Sequence, residues 1–170
     1  MGKIPEHWEV KRLSMIGNFS KGFGISKKDI TERGLPAILY GHIYTEYNFT
    51  IENISHYIDS SKSKNAKLLL DKAILSTGSG EDRKDIGKTV LYQNNEKVFI
   101  GGDIIVFKQN KFDNLFITYA LNSRGAKNEK AKKSKGEIII HIYASKLKNI
   151  YIPIPPLNEQ KKYQTILLIC

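Results

Sequence analysis

A chain of 170 residues with 41% hydrophobic residues, seven Phe and nine Tyr is long enough for one cored domain, too short for two comfortable ones, and unlike a disordered polymer. Its charge of +10, from 27 Lys and Arg against 17 Asp and Glu, favours a polyanionic partner or an acidic protein surface and is silent about fold. The single cysteine, Cys170, excludes an internal disulfide framework, no apolar run has membrane-spanning length, and MGKIPEHWEV lacks a signal peptide's apolar stretch. A soluble, cytoplasmic protein is therefore expected.

In chain order, Trp8 is an expected apolar anchor for the N-terminus, followed by Val10, Leu13 and Ile16 at helix-like spacing. KGFGISKKDITERG carries three glycines and reads as a mobile loop. LPAILYGHIYT reads as a short strand interrupted at Gly41, and the Lys-rich residues 60–72 contain a buried turn at 68–70. Residues 73–76 predict a strand and 77–85 a charged, glycine-rich loop. Asn94 and Asn95 predict a hairpin turn between strands at 89–92 and 97–100. Another strand is expected at 104–107. Asp113 is placed to cap a helix bearing Leu115, Phe116, Tyr119 and Ala120, with Gly125 at its end. AKNEKAKKSKG reads as a flexible or helical basic arm, IIIHIY as a strand, and 151–154 as a last extended segment. The fold class predicted is α+β, a small irregular mixed β core with peripheral helices.

The boundary follows at Pro153, Pro155 and Pro156, because proline is tolerated at a strand edge or a helix's first turn rather than inside either. Beyond it Tyr163, Ile166, Leu167 and Cys170 form an apolar helix stripe, with Glu159 in the first turn, where its charge suits the positive helix end. Such a stripe either folds back on the domain or belongs to a longer helix that packs on something else.

The chemistry-bearing patterns mostly fail. GEDRKDIGKT places six residues between Gly80 and Gly87 where a phosphate-binding loop has four, and a strand follows where a helix is needed. His7, His42, His56 and His141 show no short ligand spacing, so no metal and no cofactor are expected. Glu6 and Glu9 are too few carboxylates for a nuclease, and Cys170 has no sequence-evident base. The basic runs carry another chemistry. Lys127, Lys130, Lys132, Lys133 and Lys135 crowd one segment, and Lys62, Lys64, Lys67 and Lys72 another. Each run is either a solvated face or a set of phosphate contacts, which position nucleic acid without reading it. Base readout needs directional hydrogen-bonding groups on structured loops. His42 and Tyr44 after Gly41, and Ser76, Thr77, Ser79 and Arg83 around Gly78 and Gly80, are the candidates, with Lys84 and Lys88 facing a polyanion beside them.

Taken together, IPEHWEVKRL, LPAILYGHIYT, STGSGEDRKDIGKTVLY, GGDIIVFK, LFITYALNS and GEIIIHIYASKLKNIYIPIPPLNEQKK resemble, in that order, one target recognition domain of the specificity subunit of type I restriction-modification enzymes. The closing signature is the most specific piece: Leu147, Asn149, Ile150, Pro155, Pro156, Leu157, Glu159 and Gln160. The resemblance implies a non-catalytic domain at 1–154 that reads one half of a split duplex DNA target, then the start of an amphipathic spacer helix at 155–170. It implies that Leu157, Glu159, Gln160, Tyr163, Ile166 and Leu167 contact methyltransferase subunits, a second half-subunit or another copy, while modification and cleavage belong to other subunits. One recognition domain and a helix cut short at Cys170 depart from the family's pattern of two domains alternating with two long helices. A protein-interaction module, a remnant or decoy that binds methyltransferase subunits without reading DNA, is the alternative.

Overall fold

The computed structural model describes residues 4–169, and side chains as far as Tyr163. The first part of the chain forms β1 (Glu9–Arg12), β2 (Asn18–Lys21), β3 (Ile30–Thr31), β4 (Leu35–Ile38), α1 (Tyr40–Thr45), β5 (Thr50–Ile51), β6 (Tyr57–Ile58) and β7 (Lys67–Leu69). The centre contributes β8 (Ala73–Thr77), β9 (Ser79–Gly80), β10 (Thr89–Tyr92), β11 (Val98–Ile100) and β12 (Ile104–Lys108). α2 (Asn114–Asn122), α3 (Arg124–Lys133), β13 (Ile140–His141), α4 (Ala144–Leu147), β14 (Tyr151–Ile154) and α5 (Leu157–Ile169) complete it. This is the α+β class expected, with small irregular sheets and helices at the periphery.

Two five-stranded sheets carry the domain, in the orders β2-β12-β8-β10-β5 and β3-β6-β4-β11-β7. Strand side chains alternate between faces, so the continuous apolar runs of β8 and β12 read as strands buried on both sides. Along β12, Ile104 and Val106 join a core between the two sheets, while Ile105 and Phe107 join a second core under α2. β8 divides likewise, with Leu75 facing the second sheet and Ile74 facing α2. In β11, Val98 and Ile100 enter the inter-sheet core and Phe99 enters a third cluster with Ile25, Leu39 and Ile58. The molecule is thus layered helix, sheet, sheet, and burial of each large aliphatic side chain contributes roughly 1.5–3 kcal/mol.

Several local expectations change in this context. Asn94 and Asn95 do not close a hairpin: β10 pairs with β8 and β5, whereas β11 crosses to the other sheet and pairs with β4 and β7. Val90, Tyr92, Val98 and Ile100 all enter the inter-sheet core, so folding one strand over the other buries both. Of the expected buried turn at 68–70, Leu68 and Leu69 belong to strand β7 and Leu70 is exposed, and the segment after Gly41 continues a helix. The glycine-rich segment read as a mobile loop instead supplies β3 and a turn in which Ser26 N–H donates to Asp29 Oδ2. Of IIIHIY only Ile140 and His141 pair, on β9, leaving Ile138 and Ile139 exposed at a tip. Asp113 does cap α2, accepting the Phe116 N–H at 2.8 Å. Gly125 does not end that helix; Ser123 does, and its Oγ accepts the Ala126 N–H to start α3 at once.

β1 pairs antiparallel with β14, and Trp8 packs on Phe116 and Tyr163 in edge-to-face geometry at 6.4 and 5.3 Å. The N-terminus is anchored there as expected. Leu13 and Ile16 are buried, but Val10 lies on a strand and is exposed, so their spacing is not a helix stripe. Among the described residues no helix is long and apolar enough to cross a membrane.

Candidate nucleic-acid interface

Two adjoining depressions, of about 450 and about 320 Å³, form a cleft where α1, α3 and the segment before β10 meet. They share Asp85, Asn122 and Lys127 as a common wall. Lys84, Arg124 and Asn128 line one side, and Tyr44, Asn48, Phe49 and Lys88 the other. Four cations therefore face a cleft with one carboxylate, and Lys127 Nζ meets that carboxylate at 3.1 Å.

The floor is a fully bonded polar network. The Asn122 carboxamide accepts the Thr89 N–H at 3.1 Å and donates to the Thr89 carbonyl at 2.6 Å, so α2 grips β10 as a neighbouring strand would. Thr89 Oγ1 lies 2.9 Å from Ser76 Oγ. Lys130 reaches down from α3 and donates to the Gly87 carbonyl and, at 3.1 Å, to Thr89 Oγ1. Gly87 has φ of +75° and a Cβ there would stand 2.8 Å from Lys130 Cδ, so glycine satisfies both the backbone and the passing lysine stem. Burial, with repulsion from Lys127 added, lowers the Lys130 ammonium to about 7.

Tyr44 forms the wall on α1. Its phenol accepts from Thr77 Oγ1 at 2.7 Å and donates to the Asp85 carbonyl at 3.4 Å, and burial pushes its pKa up, keeping it a neutral donor. Lys88 Nζ donates to the Tyr44 carbonyl at 3.3 Å, and its own pKa is lowered by burial against the opposing pull of Asp85. Phe49 packs against Tyr119 at 4.5 Å with the ring planes tilted by 51°, while remaining over one-third exposed.

Tyr44, Lys84, Lys88 and Lys127 thus converge on the cleft, and the other expected DNA contacts do not. Ser76, Thr77 and Ser79 are buried rather than displayed on a loop, their hydroxyls committed to Thr89, Tyr44 and His141. Lys130, expected as a phosphate contact on a flexible or helical basic arm, is fully buried, so its charge cannot meet a phosphate. Arg83 spends its fork on Ser134 and the Gly136 carbonyl, holding the tip loop. Lys132 and Lys133 pair with Glu129 on the α3 surface, Lys135 is exposed at the tip, and His42 stacks on His56. Sequence reasoning missed Asn48, Phe49, Arg124 and Asn128. Ser123 as a cap would have revealed α3 and, with it, Arg124 and Asn128 on one helix.

The expected subunit contacts divide in the same way. Gln160 is fully buried, accepting the Asp113 N–H and donating to the Pro155 carbonyl, each at 2.8 Å. Glu159 accepts from Trp8 Nε1 at 3.1 Å and meets His7 Nε2 at 2.7 Å. Both residues fasten α5 to the domain instead of facing outward, and Tyr163 does so through Trp8. Leu157 is exposed. The side chains of Ile166 and Leu167, and Cys170, lie outside the described residues.

Residues 5–168 match the type I restriction modification DNA specificity domain. The chain belongs to that family. Over 174 residues the specificity domain is 29% identical to the type I restriction enzyme MjaVIII specificity subunit of Methanocaldococcus jannaschii, covering 95% of this chain and 39% of that subunit. Its fold is similar to the type I restriction-modification system S subunit of M. genitalium, with a TM-score of 0.64 at 18% identity over 99% of this chain and 40% of the other. A chain from a structure on complex assembly and conformational transition of the type I R-M system gives 0.69 at 18% identity, over 98% of this chain and 38% of that one. The specificity domain therefore spans about two-fifths of these relatives.

Proposed function

We propose that this specificity domain recognises duplex DNA in a sequence-specific manner as the specificity component of a type I restriction-modification complex, and is non-catalytic by itself. Residues 1–154 are the recognition domain, and residues 155–170 begin a spacer helix through which methyltransferase subunits, or a second half-subunit, are engaged. The observation that carries this reading is the cleft in which Lys84, Lys88, Arg124 and Lys127 surround Asn48 and Asn128 above a rigid polar floor. Lysine ammoniums hold phosphates by displacing counterions, while the guanidinium and carboxamides supply the directional groups that read base edges. The bonded floor of Asn122, Thr89 and Lys130 gives the cleft a fixed base beneath these groups, and fixed geometry is what separates reading from attraction.

Selection of bound sites from random duplex DNA tests this directly. Enrichment of one asymmetric half-target is expected, with salt-sensitive background binding at about 10⁻⁴–10⁻⁶ M. Equal recovery of all sequences, together with retained binding to methyltransferase subunits, would replace this reading with the interaction-module alternative.

A further inference from the structure

Away from the cleft, the fold gathers three side chains that the sequence keeps apart. Glu46 follows α1 one turn after His42, and His56 precedes β6. The two imidazoles stack with centroids 3.6 Å apart and planes inclined by 14°. His56 Nε2 donates to Glu46 Oε1 at 2.6 Å, and one donor atom from each residue lies within 4.8 Å of the other two. About a quarter of the His56 side chain and a third of that of Glu46 remain open to solvent, so a dissolved ion can reach them.

We propose that His42, Glu46 and His56 form a three-ligand site for a zinc-class divalent cation, with water completing the coordination. Two imidazole nitrogens and one carboxylate oxygen suit Zn²⁺, Co²⁺ or Ni²⁺, whereas Mg²⁺ and Ca²⁺ take oxygen ligands. Two rearrangements accompany loading. The near-parallel rings must splay so that their in-plane lone pairs converge, and His42 must exchange the Leu39 N–H that its Nδ1 now accepts at 3.2 Å. Both lower the affinity below that of a preformed site. An ion here would tie α1 to the approach of β6, and α1 is the helix whose Tyr44 walls the cleft. The site is independent of the DNA reading.

Calorimetric titration of the full chain with Zn²⁺, and visible absorption with Co²⁺, test the site. One ion per chain is expected, with a Co²⁺ ligand-field band. His42→Ala and His56→Ala should each weaken binding about tenfold or more, an effect that His7→Ala should lack. In the unsubstituted chain, Zn²⁺ should shift the ring resonances of His42 and His56 and leave those of His7 and His141 in place, a readout that needs no variant to fold. Absence of saturable binding, full retention of binding by the double His42→Ala/His56→Ala variant, or shifts at His7 and His141 instead would overturn the site.

Discussion

Among the described side chains, α3 and α5 each press one polar side chain fully into the domain, Lys130 on the first and Gln160 on the second. Gln160 is neutral, and both ends of its amide are matched, by the Asp113 N–H and the Pro155 carbonyl. Lys130 finds two acceptors, Gly87 and Thr89, but brings an ionisable group into the interior. The Gln160 contact of the α5 seam is therefore a lock indifferent to pH, and the Lys130 contact of the α3 seam is a strut whose strength depends on it. The surroundings differ as well. Beside Lys130 stands the Lys127 cation of the cleft, and next to Gln160 in the chain Glu159 holds Trp8. A cation near the proposed DNA cleft is thus not necessarily a contact; one lysine of α3 supports the floor while Lys127, one turn away, faces the cleft.

The largest expected effect falls on the strut. Lys130→Ala removes a buried stem and one of the two donors to the Gly87 carbonyl, leaving only the Thr89 hydroxyl on it, and should destabilise the domain by about 2–4 kcal/mol in urea denaturation. Lys130→Met keeps the stem and removes the charge, which isolates the pH term. In the native chain the folded ammonium titrates at about 7, below its ordinary 10.5. Between those values the unfolded chain holds one more proton than the folded one, so stability should climb with pH across that window. The penalty is complete below about pH 7. Lys130→Met should lose this slope, and an equal slope in both proteins would show that Lys130 remains charged inside.

Next in size is the lock. Gln160→Ala leaves the Asp113 N–H and the Pro155 carbonyl without partners and should cost about 1–3 kcal/mol, with no change between pH 7 and 10 in the difference from the parent. A pH-dependent difference would remove the contrast between the seams.

Smaller effects concern the rim, where the proposed DNA contact sharpens the comparison. Lys84→Ala and Lys127→Ala should each reduce the log-log salt slope of duplex binding by about 0.9 while leaving melting nearly unchanged. Lys130→Met should leave that slope intact. If Lys130→Met lowers the slope as Lys127→Ala does, strut and contact are not distinct. The smallest expected change is in Asp85→Ala, which breaks an exposed ion pair with Lys127 and should alter stability by about 0–1 kcal/mol. The same change releases Lys127 and should tighten non-specific duplex binding, measured at low salt.

What the sequence determined by itself is local or cumulative. The apolar runs of β8 and β12, the Asp113 cap of α2, the Trp8 anchor and the proline boundary before α5 follow from side-chain period, capping chemistry and backbone restriction within a few residues. The ordered motifs also pointed to the family. Only the tertiary structure decided which polar groups face inward, because burial depends on what stands opposite. Ser76, Thr77, Lys130 and Gln160 have the residue types of a surface, yet Thr89, Tyr44, Gly87 and Asp113 meet them from distant parts of the chain. The Asn94-Asn95 connection illustrates the same limit. Its turn chemistry permits a hairpin, but burying Tyr92 and Ile100 in one core between two sheets takes β11 to the other layer. The cleft and the His42–Glu46–His56 cluster arise in that way too, from layers packing rather than from spacing along the chain.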